Sequence, residues 1–328
     1  MPRPAMARLI GGRLAQLPLI VLVIYTITLT LAWLIPGNPL DNPEGRRPPP
    51  EVAEQLQAQY NLDSFPAFYT TYLDRASGLR WLRSAFAGAS PGGQHVFDLG
   101  PSLQYTDWNV NEIIAGALPV SITLGGAAIV IALAVGVTAG VIGAVKPGSA
   151  ADAATLLVAL VGISLPTFVT GTALLVLFGV IVPIFPVAEW GTLRSLVLPA
   201  VTLSLPFTAY IARLTRLGMI EALASDYVRT ARAKGLSQRR VLTEHALPNA
   251  LLPVVSYLGP ATAYAMTGSF VVERVFRVPG IGQHFVNAVQ NKDLFLIIGV
   301  TLVFSTLLIL FNLAVDVLYR WVDPRIEG

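Results

Sequence analysis

Six stretches of this chain run for about twenty residues or more with almost no charge. They are Leu14 to Ile35, Leu118 to Val145, Ala153 to Val182, Leu196 to Leu217, Leu251 to Val272 and Leu294 to Tyr319. A hydrocarbon layer about 30 Å thick demands helices of that length, and buried helices of soluble domains do not. In such a layer each backbone N–H and C=O must be satisfied within the segment, and these runs lack the alternation of a barrel strand, so the sequence predicts an all-α, polytopic membrane protein with six transmembrane helices. Composition agrees: 54% hydrophobic and 12% charged residues lie outside the balance of a soluble globular domain.

The first run follows Arg3, Arg8 and Arg13. It is longer than a secretory signal core and no small-x-small cleavage site precedes Pro36, so it is expected to stay as an anchor. With the N-terminus inside, thirteen basic residues fall on cytoplasmic segments, seven of them (Arg213, Arg216, Arg229, Arg232, Lys234, Arg239, Arg240) between the fourth and fifth runs. The short outer loops hold four, Arg194, Arg274, Arg277 and Lys292. That asymmetry puts both termini in the cytoplasm. The net charge of +3 is accounted for by topology, which leaves no case for nucleic acid as a partner.

Residues 36–117 form a long loop, with nine acidic and five basic residues, expected outside the membrane. The prolines at 36, 39, 43 and 48–50 open it as an extended segment. Val52, Leu56 and Tyr60 then recur at helical spacing and predict a short amphipathic surface helix. This divides the chain into 1–35 (cytoplasmic N-terminus and first span), 36–117 (outer loop) and 118–328 (five spans with a cytoplasmic segment at 218–249). Prolines 18, 166, 199, 206, 253 and 260 lie within apolar runs, where each frees a carbonyl and either kinks a packed helix or lines a cavity. Gly136 and Gly140 predict a close helix contact, and Arg213 and Arg216 are placed to snorkel to the interface.

Chemistry-bearing patterns are missing. None of Lys146, Lys234 and Lys292 stands in a phosphate-cradling Gly-Lys-Ser/Thr, so no P-loop is present and ATP chemistry belongs elsewhere. His95, His245 and His284 are far apart, outside any His-Glu-x-x-His pattern, and there is no cysteine, which argues against a metal site and leaves no catalytic or cofactor-binding residues to name. No carboxylate lies deep in an apolar run, as a proton-driven transporter would require; Asp316, near the inner end of the last run, reads as an interfacial residue paired with a neighbour.

The segment from Glu221 to Pro248 is the most informative. It reads as helix, turn, helix: alanine-rich to Lys234, with Gly235 as a left-handed stop, Ser237 as the next cap and Pro248 as the end. Small residues Ala222, Ala224, Ala231 and Ala233 suit a tightly packed face. Its frame, Arg229-Thr230-Ala231, three residues, Gly235, nine residues, His245-Ala246-Leu247-Pro248, resembles the hallmark of the permeases of binding-protein-dependent ABC importers (Glu-Ala-Ala, three residues, Gly, nine residues, Ile-x-Leu-Pro). It departs from the hallmark at Arg229-Thr230 and at His245, as the peptide and nickel branch does.

Further patterns resemble the B-type permeases of oligopeptide importers. These are Pro36-Gly37-Asn38-Pro39, Asp98 to Leu103 with Asn109 to Ile114, Glu273 with Val278 to Gln283, and Asp316 to Tyr319 with Asp323-Pro324-Arg325. The resemblance implies a type I ABC importer permease fold that moves peptides by alternating access. It implies as partners a second homologous permease, two ATPase subunits that hold ATP and Mg, and an extracytoplasmic peptide-binding protein. It also implies ATPase coupling through Glu221, Ala222, Tyr227, Arg229, Thr230, Ala231, Arg232, Ala233, Lys234, Gly235, His245, Ala246, Leu247 and Pro248. Permeases for dipeptides, glutathione or nickel share these features, and a secondary transporter is the remote alternative.

Overall fold

A computed structural model describes residues 3–36, 50–86, 96–105, 107–267 and 270–322. Among them the regular structure is helical, with one isolated antiparallel pairing between Pro101 and Asn109 and no strand. The helices are α1 (Arg3–Trp33), α2 (Pro50–Tyr60), α3 (Phe65–Ala76), α4 (Leu79–Phe86), α5 (Val110–Val145), α6 (Ala150–Ser164), α7 (Thr167–Leu175), α8 (Leu193–Ala224), α9 (Asp226–Ala233), α10 (Gln238–Arg240), α11 (Leu247–Ala250), α12 (Leu252–Met266), α13 (Phe270–Phe276), α14 (Ile281–Gln290) and α15 (Leu294–Val322). Two π-helical stretches, Val176–Ile181 and Val241–Ala246, follow α7 and α10.

Four of these helices, α1, α5, α8 and α15, are long and apolar enough to cross a membrane. The third run is not one straight helix. It breaks at Leu165-Pro166 into α6 and a second half bent by 103°, because Pro166 has no N–H for the carbonyl four residues back. The fifth run is also interrupted: α12 covers 15 residues and stops at Thr267. Pro50, expected in the extended opening of the loop, is instead the first residue of α2, where a fixed φ and a missing donor cost nothing. Residues 37–39, 43, 48, 49, 95 and 323–325 lie outside the described residues.

The chain divides into two compact units, one of Met1–Arg13, Val120–Gly280 and Leu307–Gly328, the other of Leu14–Pro119 and Ile281–Thr306. The second unit has an aromatic core in which Tyr25, Tyr60, Phe68, Tyr72 and Phe295 are buried, with Leu56 of the amphipathic α2 packed against it. Phe295 meets the rings of Tyr60 at 4.7 Å and Phe68 at 5.7 Å. Its ring also requires Gly100, which holds φ +84 and where a β-carbon would sit 2.6 Å from it. Buried Arg75 donates to the Tyr60 hydroxyl (3.1 Å) and pairs with Asp98 (3.2 Å). Fully buried Asp293 accepts from the Ser102 hydroxyl (2.5 Å), the amides of Leu103 (2.9 Å) and Gln104 (3.2 Å), and the amide of Leu296 in the first turn of α15 (3.1 Å).

In the first unit α5 lies close against α8. A β-carbon on Gly136 would fall 2.8 Å from the Thr208 carbonyl and one on Gly140 2.6 Å from that of Ala212, so small residues here permit backbone contact. Arg216 does not snorkel. Its Nε and Nη2 donate to the two oxygens of Asp152 (2.5 and 2.8 Å), tying the start of α6 to α8, while Asp152 also accepts from the Gly148 amide (2.8 Å). Asp316 has the neighbour its position suggested, an ion pair with Arg13 at 2.9 Å.

Candidate functional site

The segment from Glu221 to Pro248 begins inside α8, which runs seven residues past the expected Leu217 and takes Glu221 and Ala222 into its last turns. Ser225 then leaves helical geometry (ψ 156) and its hydroxyl donates back to the Ala222 carbonyl at 2.5 Å. The same residue opens α9, where Asp226 in the first turn complements the positive end of the helix.

α9 ends in a two-bond lock. The Gly235 amide donates to the Arg232 carbonyl (2.9 Å) and the Leu236 amide to the Ala231 carbonyl (3.4 Å), with Gly235 at φ +78. This is the 5→2 and 6→1 pairing that closes a helix through a left-handed residue. Nothing lies within 4 Å of a β-carbon built on Gly235, so its requirement is one of backbone conformation alone.

Ser237 precedes α10 with extended backbone, but its hydroxyl makes no capping bond, contrary to the sequence expectation. Pro248 does not end the second helix either. The helix widens first: Leu247 donates to Leu242, five residues back, through the π-helical stretch, and Pro248 then sits in the first turn of α11, where its missing N–H is harmless.

These pieces close over a small core of Ala144, Met219, Ala222, Val228, Ala231, Val241, Ala246 and Ala250. Gly218 lets α8 approach α11, since a β-carbon there would be 2.6 Å from the Ala250 carbonyl. Of the residues singled out in the sequence, Ala222, Ala231 and Ala246 enter this core, and His245 and Leu247 are half-buried. Glu221, Tyr227, Arg229, Thr230, Arg232, Ala233, Lys234, Gly235 and Pro248 are exposed.

Ala224 and Ala233 therefore do not belong to the packed face. Val228 does, and sequence reasoning passed over it, although its spacing of three from Ala231 marks one side of α9. Met219, Val241 and Ala250 are core residues missed in the same way.

The outer face is polar and basic. Arg229 pairs with Asp226 (3.3 Å) and Arg240 with Glu244 (3.4 Å), both solvated contacts of little worth. Arg232, Lys234 and Arg239 are exposed and form no ion pair among the described residues, so their charge is available to a partner. No group of three or more metal-ligating side chains occurs among the described residues. The segment is thus a knob with an apolar interior and a cationic surface.

Residues 136–328 match the family of binding-protein-dependent transport system inner membrane components, a range that includes the whole knob. The oligopeptide transport system permease protein OppB of Escherichia coli (strain K12) is 41% identical over 309 residues, covering 93% of this chain and 94% of that protein. The dipeptide transport system permease protein DppB of Bacillus subtilis (strain 168) is 38% identical over 322 residues, 98% of each chain. OppB of Haemophilus influenzae is 38% identical over 326 residues, 98% of this chain and all of that one.

Proposed function

The chain belongs to the inner membrane components of binding-protein-dependent transport systems, and on that premise we propose that it is the peptide-translocating permease of an ATP-driven importer, with oligopeptides as its cargo. The observation that carries the cargo is likeness to oligopeptide permeases along nearly the whole chain. The equally extensive likeness to a dipeptide permease supports a second reading, a preference for dipeptides.

The chain works with a second homologous permease, two ATPase subunits that bind ATP and Mg, and an extracytoplasmic peptide-binding protein. It neither binds nor hydrolyses ATP itself, for want of a phosphate loop. The knob from Glu221 to Pro248 docks on an ATPase subunit, its arginines and lysine meeting acidic groups or helix carboxyl ends there. Closure of the ATPase pair on ATP then moves the permeases between inward and outward states.

Six spans cross the membrane: α1, α5, the broken pair α6 and α7, α8, α12 and α15. α12 alone reaches only about 22 Å at 1.5 Å per residue, but Leu247 to Met266, with α11 included, reaches about 30 Å. Both termini and residues 218–249 face the cytoplasm. In a chain without natural cysteine, Ser64→Cys should label from outside and Ser237→Cys from inside; labelling of both from one side refutes this topology. The functional test is peptide uptake and binding-protein-stimulated ATPase activity by the reconstituted complex. Uptake of a non-peptide cargo with no peptide uptake would overturn the assignment.

A further inference from the structure

The break in the third span is exposed. The helix is interrupted at Leu165 and Pro166 within an apolar run, and both residues stand open on the surface of this chain. Pro166 also deprives the Gly162 carbonyl of its regular donor. Irregular backbone at membrane depth is not tolerated against lipid; it persists where protein covers it or where it lines a water-filled cavity. A cavity of about 310 Å³ does lie here, walled by the break together with Pro206 and Phe207 of α8, Tyr257 and Tyr264 of α12, and Phe270.

The exposed side of α12 adds an independent sign. Ser256, Pro260 and Tyr264 are exposed at successive spacings of four, and Tyr264 is 66% accessible. Pro260 withholds a donor from the Ser256 carbonyl, as Pro166 does from Gly162. A lipid-facing stripe does not leave a freed carbonyl unsatisfied, and a helix–helix seam favours small residues over tyrosine. The aromatic rings are held in place by their neighbours, Tyr257 against Tyr210 at 4.4 Å and Tyr264 edge-on to Phe207 at 6.2 Å.

We propose that this wall, the Gly162–Thr167 break with the Ser256, Pro260 and Tyr264 face of α12, lines the path of the cargo and touches a peptide through its main chain. The inference rests on the peptide-importer reading and assigns residues to it. Freed carbonyls accept from peptide N–H groups, and the phenol hydroxyls donate to peptide carbonyls. No residue lining the cavity is charged, so the wall discriminates little between peptide side chains and tolerates varied sequences.

The test uses the complete importer in vesicles with cysteine-free partner chains. Leu165→Cys and Tyr264→Cys should react with a charged, membrane-impermeant thiol reagent. Binding protein loaded with trialanine or with trilysine, supplied with ATP, should slow both reactions at least 5-fold. Absence of reaction, or reaction unchanged by either peptide, overturns the wall. Continued import of the peptides in those same vesicles would leave the transport reading standing, whereas parent vesicles that import neither peptide refute both. Tyr257→Phe keeps the ring and removes the hydroxyl. It should lower import of trialanine and trilysine by one common factor of about 5, the worth of one hydrogen bond; a loss confined to one of them contradicts main-chain contact.

Discussion

The knob from Glu221 to Pro248 and the aromatic unit built from Leu14–Pro119 and Ile281–Thr306 are stabilised by opposite means. The knob's core is alanine with a few larger side chains, and its charges all lie on the surface. The aromatic unit buries tyrosine and phenylalanine together with Arg75, Ser102 and Asp293, whose polar groups find partners inside it. Large rings supply the apolar area that a small region needs to stand alone, and satisfied buried polar groups fix one arrangement of it. Alanines permit close backbone approach while burying little. The difference teaches that the aromatic unit is specified by its interior, and the knob by what its surface meets.

Deleting a ring should produce the largest effect on stability. Phe68→Ala removes a fully buried side chain from the aromatic core and should cost about 3–5 kcal/mol, read as a lower midpoint of thermal unfolding in detergent. A loss below 1 kcal/mol would mean that this core is not what holds the unit.

Asp293→Ala comes next. It strands the Ser102 hydroxyl and the amides of Leu103, Gln104 and Leu296, and should cost about 1–3 kcal/mol in the same assay. Burial raises the Asp293 pKa above the ordinary 3.8 in spite of these donors. A raised acid stabilises the fold most when protonated, so its contribution is complete below 3.8 and is lost as pH rises through the elevated value. The variant should lack that part of the parent's pH dependence; an identical profile would show that Asp293 does not titrate in this window.

How much of this was legible in the sequence depends on the distance over which each feature is built. The long apolar helices and the left-handed stop at Gly235 follow from local composition, and both are present. The kink that Pro166 implies in the sequence is present, whereas its size, 103°, cannot be read from hydropathy, which does not register a missing N–H. The Asp152–Arg216 pair, 64 residues apart, and the Asp293–Ser102 bond, 191 apart, depend on tertiary contact and leave no spacing to read. In the knob, residue types were right and faces partly wrong. Ala224 and Ala233 are outside, and Val228 is inside, because the helix stops at Ser225 and restarts with a new phase.

Gly235→Val sharpens the comparison by separating stability from function. Open space around the position removes any steric wedge, leaving about 1 kcal/mol for a β-carbon in the left-handed region. The variant should insert and assemble, yet lose at least 10-fold in peptide uptake and in stimulated ATPase activity, because the turn presents the basic face. Gly235→Asn, which tolerates that geometry, should recover most of the activity. Equal activity of Gly235→Val and parent would reduce the knob to a topological anchor.

Arg232→Glu should have the smallest effect on the fold and the clearest dependence on solution conditions. The side chain is exposed on α9 and makes no ion pair among the described residues, so its reversal should change stability by less than about 0.5 kcal/mol. Its charge still acts on whatever docks there. Reversal replaces attraction by repulsion at a partly solvated interface, where screening over about 8–10 Å at physiological salt weakens either sign. Affinity for the ATPase subunits should therefore fall most at low salt and converge on the parent's as salt rises. The same reversal at Arg240, already engaged with Glu244, should matter less, because an intramolecular partner has taken part of its field. Affinities measured across a salt series, with Phe68→Ala as the stability control, decide the point. A salt-independent loss for Arg232→Glu would place its effect in packing, and the contrast between an interior-specified unit and a surface-specified knob would fail.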